Sequence, residues 1–258
     1  MDDTQHSFIV PAFGDSPFLE DCLESLRTQT TKSRVVVSTS TPSADIESAC
    51  RRYGATLRVN PQRRNIGSDW NWALRRADTR YVTFAHQDDV YKTPFLARTL
   101  DLFRRHPEGA LCFTGYQEIG DDGAARSSRI SRVKHALEAV ALGRSEAPSA
   151  LRMRFFLSFG NPLPCSAVTL DRKHLPDFAF STELASNLDW DAWWRLLSEG
   201  RRFLHAPERL VGRRHNGLTE TSRLIRDGRR ACEDREMFRR IWPAPIDAVI
   251  AAAYRAGY

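Results

Sequence analysis

Asp88 and Asp89 are the residues best suited to bind a cation. They follow the largely apolar residues 81–85 after His86 and Gln87, and the composition of residues 81–85 predicts a buried strand. Two adjacent carboxylates are costly to bury unless a cation binds them, and hard divalent cations that also bind phosphate oxygens are the usual partners. The alternative is a turn in which an aspartate caps the helix expected from Thr93. The sequence therefore predicts either a metal site or a capped turn at this point.

Asp189 and Asp191 stand at the head of a predicted helix, residues 189–199. A carboxylate there could act as a general base towards a hydroxyl group if it faces a cleft. The alternative is that both acids complement the helix dipole. Side chains two residues apart on a helix do not share a face, so we expect only one of them to face a cleft. Trp190 could stack on a sugar ring, although tryptophan at helical spacing is typical of a core.

Two further motifs could bind a phosphate group. Asn65 and Gly67 open a predicted helix, where a glycine lets the backbone approach a ligand and the helix N-terminus attracts anions. The alternative interpretation of Asn65 and Gly67 is an ordinary capped turn without a ligand. Arg213, Arg214 and His215 follow a late predicted strand, where the arginines could neutralise a diphosphate and the histidine could bind a metal. Their alternative is a solvated basic surface.

The apolar runs that precede these motifs predict strands, with amphipathic helices between them. Strands that alternate with helices imply right-handed crossovers and a largely parallel sheet, in which ligands bind beyond the carboxyl ends of the strands. The strands predicted in the first half are residues 8–12, 34–38, 56–59, 81–85 and 110–114, and the segments expected to face a ligand are 11–15, 38–42, 60–67 and 86–91.

The second half of the chain has a different pattern. The polar residues 120–148 predict a mobile lid around a short helix. Strands are predicted at 167–170, 203–204 and 210–212, and a helix at 189–199. The tail from 224 is predicted to be helical with a break at 242–245. Because no internal repeat is present, one domain over residues 1–222 followed by a tail over 223–258 fits this order best.

Composition excludes several classes of protein. Of 258 residues, 41% are apolar and 27% charged, and no run approaches the roughly 20 apolar residues of a membrane-spanning helix. Five cysteines without a C-x₂₋₄-C spacing argue against a zinc site or a disulfide framework. The polar, acidic N-terminus is unlike a secretory signal, which favours a cytoplasmic protein.

The charge pattern bears on partners. The net charge is +6, but the arginine doublets are scattered along the chain and interleaved with 32 acids. This argues against a dedicated nucleic-acid surface and leaves open a peripheral contact with the inner face of an anionic membrane. The high use of arginine and alanine is typical of a GC-rich bacterial genome.

Taken in order, the motifs resemble those of the inverting family 2 glycosyltransferases. The resemblance runs over residues 8–222 and rests on the segments 10–14, 22–30, 65–71, 87–89, 189–195 and 214–221. It implies an α/β, Rossmann-like GT-A fold with a mostly parallel central sheet flanked by helices and a helical C-terminal tail. Residues 1–115 would form the nucleotide-sugar-binding half and residues 116–222 the acceptor-binding half.

The resemblance also implies roles for individual residues. Asp89 would bind Mg²⁺ or Mn²⁺ together with His215, and Asp189, or as second choice Asp191, would be the catalytic base. The donor, a nucleotide-diphosphate sugar, would contact Pro11, Ala12, Phe13, Ser38, Ser40, Asn65, Gly67, Asn71, Gln87, Asp88, Arg214 and His215. The acceptor, a hydroxyl on a glycan, a lipid-linked molecule or a small molecule, would lie near Asn161, Cys165, Ser166 and Trp190.

Two other functions stay open from the residues alone. A nucleotidyltransferase could use a similar sheet and similar acids, although residues 13–16 lack its Gly-rich basic loop. A non-catalytic module could bind nucleic acid or anionic lipid, with steep salt dependence and no need for a divalent cation. The nucleobase is unassigned because residues 38–40 are Ser-Thr-Ser, where the family often has an acid.

Overall fold

One eight-stranded sheet lies at the centre of the computed structural model, which describes residues 5–62, 64–214, 224 and 227–255. The strands are β1 (His6–Ala12), β2 (Arg34–Thr39), β3 (Thr56–Val59), β4 (Tyr81–Phe84), β5 (Val90–Tyr91), β6 (Gly109–Ile119), β7 (Val168–Asp171) and β8 (Arg202–Arg214). Their order across the sheet is β3-β2-β1-β4-β7-β6-β8-β5. The α/β class predicted from the alternating pattern is confirmed.

The first four strands run parallel to one another. β1 pairs with β2 on one side and with β4 on the other, and β2 pairs with β3. Successive side chains of β1 enter opposite cores, so that Phe8 and Val10 pack on one face of the sheet and Ile9 packs on the other. Because the strands are parallel, the loops that follow β1, β2 and β4 meet at one edge of the sheet.

The other half of the sheet contains pairings that local patterns did not predict. β7 lies between β4 and β6 and is antiparallel to both, and the two-residue β5 pairs antiparallel with β8. The late strands expected at 203–204 and 210–212 form one strand, β8, which runs parallel to β6 with shifts of register. These shifts, like the pairings, depend on contacts between distant segments, which periodicity does not encode.

Nine α-helices flank the sheet within the described residues. They are α1 (Leu19–Arg27), α2 (Ala44–Tyr53), α3 (Ile66–Arg75), α4 (Phe95–Arg105), α5 (Arg129–Ala141), α6 (Ala150–Leu157), α7 (Leu188–Ser198), α8 (Arg229–Ile241) and α9 (Ile246–Arg255). The side chains of Ser43, Asn65 and Ser128 cap α2, α3 and α5. α5 has 13 residues and is longer than the short helix expected there. None of the described helices is long and apolar enough to cross a membrane.

The C-terminal helices pack on their own chain. Trp190 of α7 is fully buried, with its ring 5.1 Å from that of Phe238 on α8 and 6.4 Å from that of Tyr254 on α9. The indole N–H of Trp242 donates a 2.8 Å hydrogen bond to the carbonyl of Ser158. The tail is therefore tied to α7, the helix on which the candidate base lies.

Candidate functional site

A cavity of about 940 Å³ opens at the carboxyl ends of β1, β2 and β4. The loops after these strands and the N-terminal end of α7 both line it. Of the site residues expected from the sequence, those that line the cavity are Pro11, Ala12, Phe13, Ser38, Asn65, Gln87, Asp88, Asp89, Asn161, Cys165, Asp189 and Arg214. Ser40, Gly67, Asn71, Ser166, Trp190 and Asp191 are not part of its lining, and His215 lies outside the described residues.

Asp89 presents a buried carboxylate to this cavity. It is 1% exposed, and its Oδ1 accepts a 2.9 Å hydrogen bond from the backbone N–H of Arg214. Within the described part of the chain its Oδ2 has no hydrogen-bond partner and lies 4.0 Å from Nδ1 of His86. Burial, and then the neighbouring charge of Asp88, raise the pKa of Asp89 to about 7.

These donors fit a hard divalent cation that also binds phosphate. An unpartnered carboxylate oxygen is the ligand that Mg²⁺ and Mn²⁺ prefer. Among residues 5–62, 64–214, 224 and 227–255, no group of three His, Cys, Asp or Glu side chains could hold a metal alone. A cation at Asp89 would take its other ligands from outside this set, and oxygens of a bound phosphate group are suited to that role. This composition of ligands is typical of cations that enter a site with their nucleotide.

Arg214 holds the Asp88–Asp89 turn in place. Its Nε donates to the carbonyl of Asp88 at 3.0 Å, and its Nη1 donates to the carbonyls of Gly120 and Asp121 at 2.8 and 2.7 Å. The guanidinium also lies 4.1 Å from the centre of the Phe18 ring. With only 3% of the residue exposed, Arg214 acts on its own chain, and its contact with a diphosphate stays a prediction.

His86 lies near the Asp88–Asp89 turn and near Asp189. Its Nε2 is buried and without a hydrogen-bond partner among the described residues, and its ring packs 5.5 Å from that of Trp70. Burial lowers the pKa of His86, against the opposing charges of Asp88 and Asp189. A neutral imidazole therefore faces the cavity near both carboxylates. The sequence analysis left this residue without a role.

Asp189 faces the cavity and Asp191 does not. One oxygen of Asp189 accepts a 2.8 Å hydrogen bond from the backbone N–H of Trp190. Burial raises the pKa of the Asp189 carboxyl, opposed by Arg230, His86 and Arg213. The Asp191 carboxylate instead forms ion pairs on another face of α7. The expectation that only one of the two acids faces the cleft is met, and Asp189 is that acid.

The motif at the start of α3 packs against other residues of the chain and does not face open space. A Cβ atom on Gly67 would lie 2.1 Å from the carbonyl oxygen of Ser181. The side-chain amide of Asn71 exchanges two 2.8 Å hydrogen bonds with the backbone of Phe180, and Asn65 donates to the carbonyl of Thr182 at 3.0 Å. The expectation that Gly67 admits a ligand is therefore corrected, because the close approach is to residues 180–182.

Side chains of neighbouring segments fix the loops after β1 and β2. The Gln87 side chain accepts from the backbone N–H of Phe13 at 3.2 Å and donates to its carbonyl at 3.3 Å. Ser40 donates to Asp69 at 2.9 Å, and Asn60 donates to the same carboxylate at 2.7 Å. Asp69 lines the cavity and is held in place by Ser40. The predicted contact of Ser40 with the nucleotide-diphosphate sugar would therefore be indirect.

Two of the expected acceptor residues are placed away from the cavity. Trp190 is enclosed, and its indole N–H donates to the carbonyl of Leu157 at 3.0 Å, so that its ring is not available to stack on a sugar. Ser166 is fully buried, and its carbonyl accepts a 2.6 Å hydrogen bond from Tyr91. Asn161 and Cys165 do line the cavity, and burial raises the pKa of the Cys165 thiol.

The cavity also contains cations that were not selected from the sequence. Lys134, Arg229 and Arg230 line it, together with Arg213 of the predicted diphosphate motif. Lys134 lies in the segment expected to be a lid, and Arg229 and Arg230 lie in the tail. The sequence offered one signal, since Lys134 is one of four lysines in a chain with 38 Lys and Arg residues.

Known structures share this fold. A mannosyltransferase from Pyrobaculum calidifontis, in complex with GDP-Man and Mn²⁺, is 18% identical with a TM-score of 0.67, over 98% of this chain and 70% of its own. TarS (residues 1–349) of S. aureus, in complex with UDP-GlcNAc, is 18% identical with a TM-score of 0.64, over 84% of this chain and 60% of its own. Glucosyl-3-phosphoglycerate synthase from Mycobacterium tuberculosis, in complex with Mn²⁺, UDP and phosphoglyceric acid, is 15% identical with a TM-score of 0.60, over 86% of this chain and 76% of its own.

These likenesses confirm the GT-A fold predicted from the resemblance. The chain spans about 60% of the length of the TarS fragment that it matches. No curated protein sequence matches the chain. The model of the family described as glycosyl transferase family 2 matches residues 7–159, more than half of the chain. The chain therefore belongs to glycosyl transferase family 2.

Proposed function

We propose that the protein is a metal-dependent, inverting glycosyltransferase that moves a sugar from a nucleotide-diphosphate sugar to an acceptor hydroxyl. The observation that carries this proposal is that Asp89 and Asp189, from separate elements, line one cavity with the neutral His86 near both. One carboxylate is suited to a cation and the other to a proton. Single displacement needs these two functions on opposite sides of the sugar.

The donor would lie along the loops after β1, β2 and β4. Asp89 would hold Mg²⁺ or Mn²⁺ with phosphate oxygens of the donor, and such a cation would neutralise the charge that develops on the leaving diphosphate. Arg214 would keep the Asp88–Asp89 turn in position, and Arg213 would add positive charge to the cavity. The similar structures that contain GDP-Man with Mn²⁺ and UDP with Mn²⁺ support this choice of donor and metal.

Asp189 would remove the proton from the acceptor hydroxyl. The oxygen would then attack the anomeric carbon from the side opposite the diphosphate, so that the new C–O bond forms as the bond to the phosphate oxygen breaks. This single displacement inverts the configuration. Burial supports the role of Asp189, because a carboxyl group with a raised pKa is a stronger base. The backbone N–H of Trp190 would hold its carboxylate in a fixed orientation.

Thermal unfolding with nucleotides tests the proposal first. UDP, GDP, dTDP and CDP are each added with Mn²⁺, with Mg²⁺ and with EDTA. A ligand at about 100 times its Kd stabilises the folded protein by about 2.7 kcal/mol, and we expect one nucleotide to do so only with metal. NMR of the product from the matching sugar nucleotide then gives the anomeric configuration. Stabilisation by no nucleotide, together with low-salt binding to DNA or anionic vesicles, would favour a binding module instead.

A further inference from the structure

A carboxylate of the tail binds the segment that leads into α7. Glu233 on α8 accepts hydrogen bonds from three consecutive backbone N–H groups. They belong to Ala185, Ser186 and Asn187, at 2.9, 2.8 and 3.0 Å. Glu233 is only 6% exposed, and hydrogen bonds to a charged acceptor are stronger than those between neutral groups. The N-terminal end of α7 is therefore held by a residue that lies 46 positions later in the chain.

This contact takes the place of a local helix cap. α2, α3 and α5 are each capped by the side chain of their own N-cap residue. At α7 the side chain of the N-cap residue, Asn187, makes no such bond within the described part of the chain, and it donates to Asp234 of α8 at 2.7 Å. Acceptors and negative charge near a helix N-terminus stabilise that end of the helix. The tail thus supplies at α7 what a local side chain supplies at the other three helices.

Asp189 lies two residues after the last of the N–H groups that Glu233 binds. It lines the cavity, as do residues 185–186. The N–H of Trp190 fixes the orientation of the Asp189 carboxylate on α7, whereas Glu233 fixes the place of the start of α7. α8 itself is packed on α7, because the ring of Phe238 lies 5.1 Å from that of the fully buried Trp190.

We propose that Glu233 is a positioning residue for the transfer reaction, which fixes the start of α7 and with it the place of Asp189 in the cavity. This inference rests on the proposed function, because it treats Asp189 as the base. A displacement of about 1 Å in an active site can lower a rate by about 100-fold. A carboxylate in the tail can therefore control the rate without contact with a substrate, and the tail would be part of the catalytic unit.

The experiment separates positioning from a general contribution to stability. The full chain is compared with its Glu233→Ala, Glu233→Gln and Asp189→Asn variants. The first measurement is amide hydrogen exchange of residues 185–187 in the ligand-free protein. The second is the Kd for UDP or GDP with Mn²⁺. The third is kcat for release of that nucleotide from UDP-glucose or GDP-mannose, with water as the acceptor.

Trp242→Phe is the matched control. It removes the 2.8 Å hydrogen bond from the Trp242 indole to the carbonyl of Ser158, the residue that follows α6. The variant therefore weakens the attachment of the tail at a point away from the start of α7. We expect it to lower the thermal midpoint, to leave the exchange of amides 185–187 protected, and to keep kcat near the wild-type value.

We expect Glu233→Ala to exchange amides 185–187 faster and to lower kcat by about 10- to 100-fold, towards that of Asp189→Asn. The Kd for the nucleotide should stay within about threefold of wild type, because the donor would lie along the loops after β1, β2 and β4. Glu233→Gln keeps the length of the side chain and one acceptor oxygen, so its kcat should be intermediate. A loss of kcat without a matching loss of affinity, partly rescued by glutamine, is the result that a merely structural role would not give.

Two results would overturn the inference. The first is wild-type kcat in Glu233→Ala while Asp189→Asn is slow. The second is an equal loss of kcat in Trp242→Phe, which would make the loss a consequence of stability. If Glu233→Ala does not unfold cooperatively, Glu233→Gln decides between the same outcomes. A wild type that neither binds nor releases a nucleotide would instead contradict the proposed function and remove the role of Glu233 in transfer with it.

Discussion

Asp191 on α7 forms an ion pair with Arg240 on α8, with 2.9 Å between Oδ1 and Nη1. Its other oxygen accepts a 2.9 Å hydrogen bond from Arg195 on its own helix. Asp189, one half-turn earlier, faces the cavity instead. The first turn of α7 therefore has one acid that anchors the tail and one that is free to take part in chemistry.

The two acids should respond differently to the same substitution. Asp189→Asn is expected to lower kcat by about 10²–10⁴, the usual contribution of a general base, while nucleotide binding and the thermal midpoint stay near wild type. Asp191→Asn is expected to keep kcat and to lower the free energy of unfolding by about 2 kcal/mol, because it weakens hydrogen bonds to two guanidinium groups. Steady-state kinetics and urea unfolding of both proteins measure this. Full turnover by Asp189→Asn would remove the base assignment.

Local sequence patterns were sufficient for the strands and helices of the first half, because β1 is a short, almost continuously buried run and a polar cap begins α2 and α3. They were not sufficient for β7, whose antiparallel place between β4 and β6 depends on chain segments more than 50 residues away. The expected strand at 167–170 was present, but its partners were not encoded in its own residues.

The same distinction holds for the site. Asp88, Asp89 and Asp189 could be selected as candidates because carboxylates that are buried without a partner are costly, although acids after strands also occur for structural reasons. Gly67 and Asn71 were interpreted as ligand contacts, and yet they bind residues 180–182, more than 100 positions later. Lys134 stands out in the sequence only as one of four lysines. Its place at the cavity, like that of Arg230, follows only from the folded chain, which brings α5 and the tail there.

Replacement of Gly67 by alanine tests the contact between α3 and the segment before α7. The added Cβ would lie 2.1 Å from the Ser181 carbonyl oxygen, so the backbone must move, and we expect a loss of about 1–3 kcal/mol of stability. Thr182 and Leu184 line the cavity, so nucleotide affinity should also fall. Ser68→Ala in the same helix is the control and should stay within about 0.5 kcal/mol of wild type. Equal unfolding midpoints for all three proteins would contradict this contact.

Asp89→Asn tests the cation site. An asparagine can still accept the Arg214 backbone N–H through its side-chain oxygen, so the fold should be kept while a charged ligand oxygen is lost. We expect the metal-dependent part of nucleotide stabilisation, about 2.7 kcal/mol at 100 times Kd, to disappear in the variant. In EDTA, the wild type and Asp89→Asn should respond alike to the nucleotide. Asp45→Asn, a change at an exposed acid of α2, is the control and should behave as wild type. A loss of metal-dependent stabilisation in Asp45→Asn would point to a nonspecific charge effect.

The low pKa of Lys134 predicts a pH dependence that other groups do not share. Its folded pKa of about 7 is below the ordinary value of 10.5, so from pH 7 to 10.5 the unfolded chain holds a proton that the folded chain has released. The contribution of Lys134 to stability therefore rises with pH across this window, so the stability of the wild type relative to Lys134→Met should rise with it. Above pH 9 the buried cysteines, whose pKa values are raised, contribute the opposite trend equally in both proteins. Arg213, Arg230, Asp189, Glu118 and Asp234 face this ammonium, and they are common to both proteins.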